Sequence, residues 1–295
     1  MRLRLLAVLG AGALTLLAAV PASAESNSQG PGYLALGDSV PFGFDPLAAA
    51  SNPDNFVGYP EIVAKALQLH DTNATCPGEA TGGFLSLTGT DNVCRPYRAA
   101  LPLHVDYSGT QMAFALDYLR SHKDTQLVTL TLGANDLFRW QKDCVAGPLV
   151  GTCPLGIGGV LAVMKANLDI IFANIRGTGY EGVIVAVTYY SLTYPNTAGA
   201  QLLAGPMIAA ATAPSVHALV ASGIEAWRAT AMELGGGDSC AAGLLIRLTP
   251  TTCDVHPTPL GRDLLADAVV STIAGTCSAN NARLCLARAA GQGEG

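Results

Sequence analysis

Tyr33-Leu34-Ala35-Leu36-Gly37-Asp38-Ser39-Val40 is the stretch on which the fold turns. Four apolar residues run straight into a Gly-Asp-Ser turn, which puts the serine at the carboxyl end of a buried strand. Two later segments end alike. Leu127 to Leu132 is a β-branched apolar run that stops at Gly133-Ala134-Asn135-Asp136, and the short strand Leu244 to Leu248 leads on to Asp254-Val255-His256-Pro257. Val183 to Val187 has the character of a fourth buried strand.

Helical patterns fill the gaps. Ile62, Val63, Ala66 and Leu67 share one face over Tyr59 to Leu69, and Met112, Ala115, Leu116 and Leu119 share another over Thr110 to Arg120. Val160 to Arg176, Ser215 to Leu234 and Pro257 to Ile273 complete the set. Strands alternating with helices predict an α/β fold, a parallel sheet covered on both faces in a three-layer α/β/α arrangement of flavodoxin-like type. Reactive groups in such sheets gather at the carboxyl ends of the strands, which is where Ser39, Asn135 and His256 fall. No internal repeat of fixed period is present.

These residues, in this order, resemble the blocks of the GDSL or SGNH hydrolases, named for Ser, Gly, Asn and His. The serine block is GDSV around Ser39, the glycine block is Tyr107-Ser108-Gly109-Thr110, the asparagine block is Gly133-Ala134-Asn135-Asp136, and the histidine is His256. The resemblance spans about Tyr33 to Ile273 and implies a serine ester hydrolase that works through an acyl-enzyme without metal or organic cofactor. It implies Ser39 as nucleophile and His256 as base, with an oxyanion hole made by the main-chain N–H groups of Ser39 and Gly109 and the side-chain amide of Asn135.

The chemistry is consistent with those roles. A serine hydroxyl is a poor nucleophile at neutral pH and needs a base within hydrogen-bond reach. Each motif also has a plainer explanation: GDSV as an Asp-containing turn, Gly109 as a turn glycine, Asn135 as the cap of a helix starting near Leu137. Gly237-Asp238-Ser239-Cys240 repeats the GDS triplet after a helix and glycines, not after a strand, and is assigned to a loop. His70, His104, His122 and His217 have no strand-end context. The G-x-S-x-G elbow of an α/β-hydrolase is absent.

The support for His256 stays open between two groups. The commoner family pattern has an acid three residues before the histidine, where this chain has Cys253. Asp254 is the nearest acid, and Pro257 favours an extended His256, so residues 254 and 256 point the same way. The main-chain carbonyl of Cys253 is the favoured partner for Nδ1, with Asp254 the candidate catalytic acid.

Met1-Arg2-Leu3-Arg4, the apolar run to Val20 and Ala22-Ser23-Ala24 have the form of a secretion leader cleaved after Ala24. No second such run follows, so no stable membrane anchor is expected. The leader takes Arg2 and Arg4 with it, so 16 basic residues fall to 14 against 22 acidic and the net charge goes from -6 to -8. That balance argues against nucleic acid. Residues 25–288 are expected to form one monomeric domain, with a small polar tail over 289–295 lacking fixed structure.

Eight cysteines in an exported chain, without metal-site spacing, favour disulfides. Nearest-neighbour pairing gives Cys76–Cys94, Cys144–Cys153, Cys240–Cys253 and Cys277–Cys285. An apolar-rich chain favours a lipid or other acyl ester as substrate, with phospholipase or carbohydrate deacetylase activity as alternatives. A secreted binding or structural protein on the same fold, without turnover, is the reading from another class.

Overall fold

Every residue of β1 (Gly32–Gly37) is buried, as is every residue of β3 (Leu127–Thr131). Strands of that kind must be covered on both faces. The computed structural model describes residues 30–153 and 155–276; the expected leader, the Cys277–Cys285 pairing and the tail lie outside them. With β2 (His70–Asn73), β4 (Val183–Val187) and β5 (Leu219–Ala221) the two form a parallel five-stranded sheet of order β2-β1-β3-β4-β5. That is the flavodoxin-like order, and its direction reverses between β1 and β3, where a crevice opens beyond the strand ends. Gly37 is in register with Thr131 there, so the loops that carry Ser39 and Asn135 are neighbours.

The helices in chain order are α1 (Ser39–Phe42), α2 (Tyr59–Leu67), α3 (Thr81–Leu85), α4 (Cys94–Ala100), α5 (Gln111–Ser121), α6 (Ala134–Trp140), α7 (Ile157–Gly177), α8 (Ala198–Ala211), α9 (Gly223–Gly235) and α10 (Pro259–Gly275). Alternation along β1 sorts them into layers. Tyr33 and Ala35 pack with Val63 of α2, Trp227 of α9 and Val269 of α10. Leu34 and Leu36 face the other way, onto Leu119 of α5, Phe172 of α7 and Met207 of α8. The result is the three-layer α/β/α architecture.

The structure departs from the sequence expectations in four places. The helix expected over Ser215 to Leu234 is split, because residues 219–221 form β5 and Ser222 caps α9 by accepting the Glu225 N–H at 3.3 Å. β2 reads His-Asp-Thr-Asn and lacks the apolar alternation that marks strands. The expected last strand, β6 (Leu245–Thr249), pairs antiparallel with β7 (Thr252–Pro257) in a hairpin outside the parallel sheet. Finally, α7 is itself long and apolar enough to cross a membrane by composition. Its Met164, Leu168, Ile171, Phe172 and Ile175 are nevertheless buried in the domain.

Cys76–Cys94, Cys144–Cys153 and Cys240–Cys253 are bridged.

Candidate active site

Gly37 ends β1 at φ +134°, and a Cβ there would lie 2.0 Å from the carbonyl oxygen of Thr131. Only glycine lets the chain turn this close to β3. Asp38 then caps α1, its Oδ1 accepting the Val40 N–H at 3.1 Å. Ser39 is the first residue of that helix, and an N–H in a first turn has no intrahelical acceptor.

His256 reaches the serine from β7. Its Nε2 lies 2.7 Å from Ser39 Oγ, and its ring meets Phe44 edge-on at 4.9 Å between centroids. Its Nδ1 bonds Asp254 Oδ1, which also accepts the His256 main-chain N–H at 3.0 Å. The carbonyl of Cys253, favoured from sequence, is therefore not the group on Nδ1. Strand geometry puts 254 and 256 on one face, and one carboxylate oxygen serves both donors of the histidine. The hairpin is fixed from below by Tyr190, whose hydroxyl donates to the Val255 carbonyl and whose ring stacks on Trp227 at 3.7 Å. The Cys240–Cys253 bridge holds it from the side.

Two carboxylates flank the serine in opposite conditions. Asp254 is held below its ordinary range by its hydrogen bond to His256. Asp38 is buried, and desolvation pushes it up to about 6 against the hydrogen bond from Tyr189. The Tyr189 hydroxyl donates to Asp38 Oδ2 and accepts the Ala134 N–H at 3.1 Å, so it ties the serine turn to the start of α6.

Asn135 lies inside the first turn of α6, whose cap is Gly133; it does not cap a helix starting near Leu137. Its Nδ2 donates to Asp38 Oδ2 at 3.4 Å, and its Oδ1 accepts from Asn92 Nδ2 at 2.9 Å. Asp38, Ser39, Asn135 and His256 share a cavity of about 370 Å³ with Val40, Leu137, Phe138, Leu192, Ala200 and Leu203. Apart from Asp38 and His256 its lining carries no charged side chain.

No family model matches this sequence, and no curated protein matches it. Solved structures do. Phospholipase A1 from Streptomyces albidoflavus NA297 is 19% identical, with a TM-score of 0.51 over 82% of this chain and 99% of that one. An alpha/beta hydrolase enzyme from the metagenome of Lake Arreo, Spain, is 17% identical, with a TM-score of 0.52 over 84% and 97%. An acetylxylan esterase from Geobacillus stearothermophilus is 16% identical, with a TM-score of 0.50 over 83% and 94%. These likenesses are likenesses of fold, and they agree with the three-layer α/β/α arrangement expected from the sequence.

Within this α/β/α scaffold the remaining sequence candidates are placed as follows. Ser239 is buried and donates to the Ser191 carbonyl at 2.7 Å, and its N–H bonds the Leu192 carbonyl at 3.1 Å. The second GDS thus props the 191–196 loop that lines the cavity. His104 packs on Phe42, His122 stacks on Tyr118, and none of His70, His104, His122 and His217 lines the cavity. Cys76, Glu79 and Cys94 are grouped closely enough to hold a metal ion, but the two sulfurs are bonded to each other.

Gly109 is held elsewhere. Its carbonyl accepts from Arg98 at 2.6 Å, beside a separate cleft lined by Arg98, Leu103, Asp106 and Tyr107. Gly78 lies in the loop that leaves β2 next to β1, where the Cys76 N–H bonds the Gly37 carbonyl at 3.1 Å. Gly78 has φ +83°, and a Cβ there would meet Val93 Cγ2 at 2.2 Å. Its carbonyl accepts the main-chain N–H of Asn92 at 3.1 Å, the residue whose side chain bonds Asn135. Gly78 thus follows a strand end, as Ser39 and Asn135 do, although the polar sequence of β2 does not mark that strand.

Proposed function

We propose that this protein is an exported serine ester hydrolase. The observation that carries the reading is the Ser39–His256–Asp254 line, with Oγ 2.7 Å from Nε2 and Nδ1 bonded to a carboxylate, opening into an apolar cavity. The leader-like N-terminus and the disulfides support export; the fold likenesses support a hydrolase.

In this scheme His256 Nε2 takes the Ser39 proton as Oγ attacks the ester carbonyl carbon, and Asp254 steadies the imidazolium that forms. The tetrahedral oxyanion receives hydrogen bonds from the Ser39 main-chain N–H and from Asn135 Nδ2, with the Gly78 N–H proposed as third donor in place of Gly109. Each donor contributes roughly 100- to 1,000-fold in rate. The C–O bond breaks, the alcohol leaves with the proton from Nε2, and the acyl group stays on Ser39. Water then attacks with His256 again as base, and the carboxylic acid departs.

The apolar wall of Val40, Leu137, Phe138, Leu192, Ala200 and Leu203, with no charged side chain in the lining beyond Asp38 and His256, favours an acyl chain over a phosphorylated group. Hydrolysis of p-nitrophenyl esters of rising chain length, run beside phospholipid and acetylated-sugar substrates, tests the reading. Turnover that rises from acetate to medium-length acyl chains supports it, and no turnover of any ester in the panel refutes it.

A further inference from the structure

We propose that Asn92 is a positioning residue for the oxyanion donor, fixing which end of the Asn135 amide faces the cavity. The inference rests on the ester-hydrolase reading and on Asn135 as donor. An amide side chain presents an acceptor at one end and two donors at the other. A half-turn about its last bond would put the carbonyl oxygen where the oxyanion must sit, and donation would become repulsion.

Two contacts set the orientation of Asn135. Asp38 carries a carboxylate oxygen at 3.4 Å and so draws Nδ2, leaving the second hydrogen of that nitrogen for the cavity shared with Ser39. Oδ1 then faces Asn92 Nδ2 at 2.9 Å. Asn135 is buried, so an unpartnered Oδ1 is costly, and Asn92 both satisfies it and opposes the half-turn. Asn92 does not line the cavity itself.

Asn92 is in turn held from several sides. Its main-chain N–H bonds the Gly78 carbonyl at 3.1 Å. The preceding Asp91 accepts from the N–H groups of Cys94 at 3.0 Å and Arg95 at 3.1 Å, and Cys94 is bridged to Cys76. Arg139, one turn beyond Asn135 on α6, donates to the Asp91 carbonyl at 3.1 Å. The loop is thereby attached to the same helix whose amide it orients, and it bonds at one residue both Gly78 and Asn135.

The test compares Asn92→Ala with Asn92→Asp, each in the native and Asn135→Ala backgrounds, by kcat and KM on p-nitrophenyl butyrate. Asn92→Ala is expected to lower kcat about tenfold, the scale of one hydrogen bond. Asn92→Asp keeps the shape but replaces the donor with an acceptor that competes for Nδ2, so it should lose more, approaching the 100- to 1,000-fold loss of an oxyanion donor, with KM little changed. In the Asn135→Ala background both should add little. An aspartate variant milder than the alanine one, or losses undiminished without Asn135, overturns the proposal. A second readout needs no turnover: the Asn135 side-chain amide resonances, assigned by their loss in Asn135→Ala, should shift in both Asn92 variants and exchange faster with water in Asn92→Ala. Unchanged resonances refute the clamp even if no ester is hydrolysed, whereas shifted resonances with an inactive wild type refute only the enzymatic reading.

Discussion

Asp254 and His256 stand two residues apart on β7, and one oxygen of the aspartate accepts both the ring Nδ1 and the main-chain N–H of the histidine. An acid two residues before the histidine reaches its Nδ1 because an extended strand turns alternate side chains the same way.

On the proposed hydrolase reading, Asp254 completes a triad with Ser39 and His256. Asp254→Asn should lower kcat by about 10,000-fold, the size of loss when the orienting carboxylate of a Ser-His-Asp set is removed. Steady-state kinetics on a variant with native circular dichroism checks it; a loss of only about tenfold would return the role to a main-chain carbonyl.

Much of this was legible beforehand. Buried runs of strand length at Tyr33 and Leu127, each ending in a glycine turn, place Ser39 and Asn135 at one sheet edge, and the order of the blocks places His256 with them. What stayed hidden was hidden for physical reasons. β2 is a polar edge strand without alternation, so the sequence pattern does not show that Gly78 follows a strand end. The capping pair Ser222 and Glu225 was present, but the apolar periodicity on either side masked the break between β5 and α9. The choice between Asp254 and the Cys253 carbonyl turns on side-chain rotation, which spacing alone does not report.

Glu79 gives a pH dependence with a definite sign. Burial, with Asp91 nearby adding to it, pushes its carboxyl up to about 8 from an ordinary 4.5. The folded state therefore binds this proton more tightly than the unfolded state, so the favourable contribution is full below about pH 4.5 and is lost as pH rises through about 8. Asp38, raised from 3.8 to about 6 for the same reason, acts in the same direction over its own lower window. Chemical denaturation should show greater stability near pH 5 than near pH 8, and Glu79→Gln should flatten that slope. A slope unchanged in Glu79→Gln would remove Glu79 as its source.

Ala200 is buried and lines the cavity from α8. Ala200→Phe should fill part of the acyl space and leave the triad alone. Acetate esters should be hydrolysed near the native rate, while kcat/KM for longer acyl chains falls by about fourfold for each methylene excluded, at about 0.8 kcal/mol apiece. An equal loss on acetate and on the longest chain would show that this wall does not hold the acyl group.

The central claim is that Ser39 is an activated nucleophile. A fluorophosphonate should add its phosphonyl group to one serine of the native protein, and peptide mapping by mass spectrometry should find it on Ser39. The adduct should be absent in Ser39→Ala and in His256→Ala, and present at the native level in Ser239→Ala. Labelling at Ser239, or labelling that survives Ser39→Ala, would contradict the account.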